Sequence, residues 1–162
     1  MEEGLLDIGI IREPMELSKL DTQFLKKERW IVAVAKEHPL AERESVTLKD
    51  ISEEPLFIPS RSSLFEEISQ WFLANMGQPF VIGTYNQVAS VLPLIAKNMG
   101  VCICPESVEQ YADHDKISYL HLQNHDYISR LYMMKLKNKM LPAAARLFWD
   151  FMCTSEIKNL IR

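Results

Sequence analysis

The 162-residue chain is 48% apolar and 25% charged, which fits one globular domain or two small lobes and excludes low-complexity, collagen-like and coiled-coil classes. No apolar run reaches the roughly 20 residues of a membrane helix, and the acidic start Met1-Glu2-Glu3-Gly4 lacks a signal-peptide pattern, so a soluble cytoplasmic protein with no membrane partner is expected. A net charge of −4 argues against this chain gripping nucleic acid alone, because DNA affinity needs a basic face, and suits small ligands and protein partners.

The predicted elements begin with a short strand over Leu6–Ile11, ended by the turn Arg12-Glu13-Pro14. Residues 15–29 read as loop and edge strand. The run Trp30–Ala35 is apolar and rich in β formers, so a buried strand is expected, broken at His38-Pro39-Leu40. Thr47 and Asp50 have capping spacing for one helical turn at Leu48–Ile51, and Leu56-Phe57-Ile58 is a short strand stopped by Pro59. Ser63 and Glu66 are spaced as a capping box, followed by Phe65, Ile68, Phe72 and Met76 on one helical face; Gly77 and Pro79 end that helix. Phe80–Thr84 is a strand. Asn86 is placed to cap a second helix whose apolar face is Val88, Val91, Leu92, Ile95, Ala96 and Met99. Pro93 interrupts it, so a kink or a late start is expected, with Gly100 closing it.

Val101–Cys104 is the next strand, and Pro105 opens a short helix through Tyr111. Ile117–Leu122 and Ser129–Leu136 are two further strands. Pro142 opens a last helix with Ala144, Leu147, Phe148, Phe151 and Met152 on one face, Trp149 lying off it; Ser155–Arg162 extends it or forms another turn. The middle order of strand, helix, strand, helix, strand calls for a parallel α/β sheet, whose ligands sit beyond the carboxyl ends of the strands. Those ends are Pro59–Ser63, Tyr85–Gln87 and Pro105–Glu106.

Ser60-Arg61-Ser62-Ser63 precedes a helix N-terminus, where backbone N–H groups and the helix dipole favour an anion and Arg61 adds a guanidinium fork. The plainer alternative is that Ser63 caps the helix and Arg61 is solvated. Asn86-Gln87, at a second helix start, would point the same way. Arg12, after the first strand, is either a ligand-facing cation or a surface turn residue. The four histidines have no metal spacing, and there is no nucleophile elbow, G-x-G-x-x-G or P-loop, so no catalytic residue, metal or cofactor is assigned. Cys102, Cys104 and Cys153 are too few for a disulfide framework, and the first two read as core packing.

In this order and spacing, several signatures carry a family resemblance. They are Leu6-Asp7-Ile8-Gly9-Ile10-Ile11, Val32-Ala33-Val34 with His38-Pro39-Leu40-Ala41, Thr47-Leu48-Lys49-Asp50-Ile51, and Glu54-Pro55-Leu56-Phe57-Ile58. Leu92-Pro93-Leu94-Ile95-Ala96, Met99-Gly100-Val101 and Pro105-Glu106-Ser107-Val108 complete them. The sequence resembles the effector-binding domain of LysR-type transcriptional regulators. The resemblance implies a periplasmic-binding-protein-like (type II) α/β fold of two lobes joined by crossover strands, closing on a small molecule in the cleft between them. On that pattern residues 31–115 form one complete Rossmann-like lobe, and residues 1–30 with 116–162 a partial second lobe.

The resemblance also implies site residues and partners. Arg12, Ser60, Arg61, Ser62, Ser63, Asn86 and Gln87 match effector-facing positions, and with two cations among them the expected effector is a small organic anion. The N-terminal winged helix-turn-helix and linker of the family are not in this chain, so operator DNA is expected to be bound only through such a domain. The opening of the first lobe is also absent from the pattern, which predicts exposed apolar surface and self-association. The peroxide-sensing branch places a reactive cysteine near the Ser63 position, and this chain does not. A solute-binding module of the same fold is the alternative reading. An enzyme using the Ser60–Ser63 loop is a third, which a serine-directed probe separates from the other two.

Overall fold

The computed structural model describes residues 6–74, 76–111, 113–123 and 127–154. In chain order the elements are β1 (Gly9–Arg12), β2 (Leu20–Ala35), β3 (Ser45–Val46), β4 (Leu56–Pro59), α1 (Ser62–Leu73), β5 (Val81–Tyr85) and α2 (Leu92–Ile95). They continue with β6 (Val101–Pro105), β7 (Ile117–Leu122), β8 (Ile128–Leu136) and α3 (Ala143–Met152), and short 3₁₀ turns lie at Lys49–Ile51, Val88–Ser90 and Glu106–Tyr111. The chain folds into two compact units. Unit 1 is Met1–Lys27 with Ser129–Arg162, and unit 2 is Glu28–Ile128.

Unit 2 is a sheet in the order β5, β4, β6, β2, β7, β3. Strand β4 pairs in parallel with β5 and β6, while β2 runs antiparallel to β6 and β7. The parallel core expected from the strand–helix alternation is present, and the antiparallel β2 and β7 make the complete sheet mixed. The apolar runs have no polar alternation because both faces are covered. Trp30, Val32, Val34, Leu56, Ile58, Val101 and Ile103 face one core, with Leu64, Ile68 and Phe72 of α1 packed on it. Ile31, Ala33, Phe57, Cys102 and Cys104 face the other, with Val91, Ile95 and Val108. One-residue alternation along each strand thus divides the side chains between two layers.

Unit 1 pairs β1 with β8 in antiparallel register, from Gly9 opposite Met134 to Arg12 opposite Leu131. Ion pairs of Arg130 with Glu13, Lys135 with Asp21 and Lys139 with Asp7 cross the unit at 2.9, 2.5 and 3.1 Å. Strand β2 begins at Leu20, ten residues before the apolar run and inside the stretch expected to be loop and edge strand. Pairing with β8 supplies its hydrogen bonds, a tertiary contribution that Lys26-Lys27 do not advertise in sequence.

Several local expectations are corrected. Helix α1 starts at Ser62 with Arg61 as N-cap and no side-chain cap bond, so the Ser63–Glu66 pair does not open it. The backbone carbonyl of Arg61 accepts from the N–H groups of both Leu64 and Phe65 at 2.9 Å, so the first turn forms directly after β4. The long helix expected after Asn86 is instead a 3₁₀ turn followed by the four-residue α2, with Pro93 in its first turn. Proline lacks the N–H that would continue a helix from Val88, so the late start wins. Helix α3 forms where expected, but Leu147, Phe148 and Phe151 are 71%, 50% and 56% exposed. Its half-buried stripe is Ala145, Trp149 and Met152. The extension expected over Ser155–Arg162 lies outside the described residues.

Candidate functional site

The carboxyl ends of β4 and β5 lie side by side, because Pro59 is opposite Tyr85 in the parallel register. The next residues on each strand are Ser60 and Asn86. The backbone N–H of Ser60 donates to the carbonyl of Tyr85 at 2.8 Å. The Ser60 hydroxyl donates to the side-chain carbonyl of Asn86, which ties the two strand ends together. Of the predicted site residues, these two are thus brought into direct contact. Asn86 does not cap a helix; its carbonyl oxygen serves Ser60 instead.

Arg61 and Ser62 follow at the start of the twelve-residue α1. The first N–H groups of an α-helix have no intrahelical acceptor, and the first turn of α1 carries no acidic side chain that would compete for them. Ser62 is exposed, while Ser60, Arg61 and Ser63 are half-buried. Gln87 is exposed and is the N-cap of the 3₁₀ turn, its carbonyl accepting from the backbone N–H and hydroxyl of Ser90 at 3.0 and 2.7 Å. A three-residue turn has little dipole of its own, so only α1 contributes a helix N-terminus here. Arg12 is half-buried at the end of β1 in unit 1.

Beneath this edge, the Tyr85 hydroxyl donates to the carbonyl of Ile103 at 2.7 Å, holding β5 over β6 from within the core. Cys102 and Cys104 are both fully buried. Burial, followed by the neighbouring Cys104, pushes the Cys102 thiol well above its ordinary range. Tyr119 beside them is also raised, by burial first and then by the two sulfurs. Thiolate chemistry is disfavoured at that position. Among the described residues no group of three or more His, Cys, Asp or Glu converges as a metal set, and no helix is long and apolar enough to cross a membrane.

Sequence reasoning missed a concave region on the other side of the unit 2 sheet order. A pocket of about 390 Å³ in unit 2 is lined by residues of β2, β3 and β7 together with Gln123, Tyr127 and Ile128, and none of the predicted site residues borders it. The signal for it would have been the extension of β2 back through Arg29, which the polar stretch hid.

The family model described as LysR substrate binding domain matches residues 1–154. The chain is 23% identical over 116 residues to the HTH-type transcriptional regulator AlsR of Bacillus subtilis, covering 70% of this chain and 38% of AlsR. It is similar in fold to the effector binding domain of QuiR in complex with shikimate, with a TM-score of 0.76, 22% identity and coverage of 93% of this chain and 71% of that one. It is likewise similar to the BenM effector binding domain with benzoate, with a TM-score of 0.73, 23% identity and coverage of 98% and 70%. The chain spans about half the length of the curated relatives it matches.

Proposed function

The chain belongs to the LysR substrate-binding domain family, and from that membership we propose that it is the effector-sensing domain of a DNA-binding transcriptional regulator. It works without catalysis, in the cytoplasm, and reaches operator DNA only through a separate N-terminal domain. Its effector is a small organic anion. One observation carries this reading: Ser60 and Asn86 are bonded to each other at the carboxyl edge of parallel strands, beside the N-terminus of α1, where Arg61 stands as N-cap. Hydroxyl, amide, guanidinium and helix N–H groups at one strand edge suit a carboxylate. The ligands of QuiR and BenM, shikimate and benzoate, are carboxylates. Ser62, Ser63 and Gln87 complete the unit 2 contribution, and Arg12 of unit 1 is proposed as a further effector-binding residue.

The test is a calorimetric titration of the chain with a panel of small carboxylates. Charge-assisted hydrogen bonds are worth about 1.5–3 kcal/mol, so Arg61→Ala should weaken the best ligand by roughly tenfold or more. Affinities unchanged across the panel in Arg61→Ala would remove the anion reading. A serine-directed covalent probe should leave Ser60, Ser62 and Ser63 unlabelled; stoichiometric labelling would favour an enzyme.

A further inference from the structure

We propose that Tyr85 is a positioning residue for the Ser60–Asn86 edge. Its hydroxyl takes the place of a backbone N–H that Pro59 cannot supply, and so ties the carboxyl end of β5 to β6.

The missing donor follows from the register. Strands β4 and β6 are parallel, with Leu56 opposite Val101 and Phe57 opposite Cys102. The Val101 N–H donates to the Pro55 carbonyl at 2.8 Å, so Val101 turns its backbone groups toward β4. In a parallel ladder the same orientation returns two residues later, and the carbonyl of each such residue accepts from the strand opposite, one position beyond its partner. Ile103 is therefore the next residue to face β4, and the N–H due at its carbonyl belongs to residue 59. Residue 59 is proline and has no N–H.

Both groups are shielded from water, since Pro59 and Ile103 are buried. A buried carbonyl without a donor is costly. The Tyr85 hydroxyl meets that need, donating to the Ile103 oxygen at 2.7 Å. The Cys102 thiol stands 3.8 Å from the same oxygen and is a weak donor.

The tie reaches across a whole strand. In the order β5, β4, β6, the Tyr85 side chain leaves β5, crosses β4 and ends on β6. Strand β5 is the last of that order, and Tyr85 lies opposite Pro59 at the final position of its pairing with β4. The tie thus acts at the carboxyl end, where a strand held from one side frays most readily. Two contacts of the edge hang on the same residue. The Tyr85 carbonyl accepts from the Ser60 N–H at 2.8 Å, and the next residue is Asn86, whose side chain accepts from the Ser60 hydroxyl. Any shift of Tyr85 moves both. The consequence for affinity rests on that edge being the effector site.

The test is amide hydrogen exchange on the 162-residue chain carrying Tyr85→Phe, which keeps the ring and removes the donor. The Leu56 N–H donates to the Phe80 carbonyl at the other end of the same strand pair and serves as the reference. Exchange at Ser60 should speed up by at least about tenfold more than at Leu56. Equal acceleration at both would mean that the hydroxyl supports only overall stability, and would overturn the proposal. Adding Pro59→Ala returns an N–H to residue 59. The urea midpoint should then move back toward that of the parent, while Ser60 stays fast relative to Leu56. Recovery of Ser60 protection in the double variant would overturn the proposal, because a satisfied Ile103 carbonyl would then suffice without the tie. Titration with benzoate and shikimate gives the second readout. Tyr85→Phe should weaken whichever of them binds the parent by about fivefold or more, and equal affinity would overturn the positioning role. A parent chain that binds neither would count against the effector reading alone, and the exchange ratio would still decide the role of Tyr85.

Discussion

The ring of Phe57 gives the sharpest test of how the sheet beneath the Ser60–Asn86 edge is packed. Phe57 is opposite Gly83 on β5 and Cys102 on β6, and it is buried. A Cβ added at Gly83 would lie 2.7 and 2.8 Å from two carbons of that ring. Ordinary carbon contacts begin near 3.5 Å, so the ring must retreat by about 0.7 Å. The ring is buried, so its retreat presses on packed neighbours rather than on solvent. Overpacking of this kind costs about 1–3 kcal/mol, so Gly83→Ala should lower the urea midpoint accordingly. Phe57→Leu alone leaves a small void and costs about 1–2 kcal/mol. Combined, the smaller side chain makes room for the new methyl, and the double variant should be more stable than the sum of the singles by about 1 kcal/mol or more. Gly100→Ala is the control. Its φ is +148° and its added Cβ would stand 2.5 Å from the backbone oxygen of Pro55, which Phe57→Leu cannot relieve. Urea unfolding followed by circular dichroism reads all five chains. A Gly83→Ala variant within about 0.5 kcal/mol of the parent, or strict additivity with Phe57→Leu, would refute the packing argument.

Other consequences are independent of that cycle. The Asp50 carboxyl is held down to about 2 from 3.8, first by the hydroxyl and backbone N–H of Thr47 at 2.6 and 2.7 Å and then by Arg43. A depressed carboxylate stabilises the fold above its unfolded pKa and loses that contribution as pH falls, here between about 4 and 2. Asp50 is partly exposed, so Asp50→Ala should cost only about 1 kcal/mol at pH 7, and the gap should close as urea midpoints are followed toward pH 2. Thiol titration should find one fast cysteine, half-buried Cys153, with Cys102 and Cys104 reacting only after unfolding; three fast thiols would contradict the buried strand. The exposed Leu147, Phe148 and Phe151 on α3 should drive self-association of the chain, and Phe148→Glu with Phe151→Glu should reduce it in sedimentation velocity. A clean monomer of the unaltered chain at high concentration would count against that.

The parts of the fold legible in the sequence are those where local chemistry and burial agree. Val101–Cys104 and Trp30–Ala35 are apolar throughout, and a strand buried on both faces requires that. Thr47 and Asp50 announced their exchange of hydrogen bonds by spacing alone. The stretch 20–29 was illegible for the opposite reason. Lys26, Lys27 and Arg29 carry charge, and their strand exists because β8 offers its backbone. The apolar face of α3 misled differently, since periodicity reports which side of a helix is apolar, not which neighbour covers it.

The same division runs through the candidate site. The serines and Arg61 were readable as a loop before a helix, and the register of β4 against β5 then decides what they touch. Asn86 was read as a cap because asparagine commonly caps, yet Pro93 prevents a helix from starting there and releases its side chain for Ser60. The contact joins residues 26 positions apart, which no local spacing rule can express. Motif reasoning names residue types that suit an anion, whereas strand pairing determines which of them share one edge.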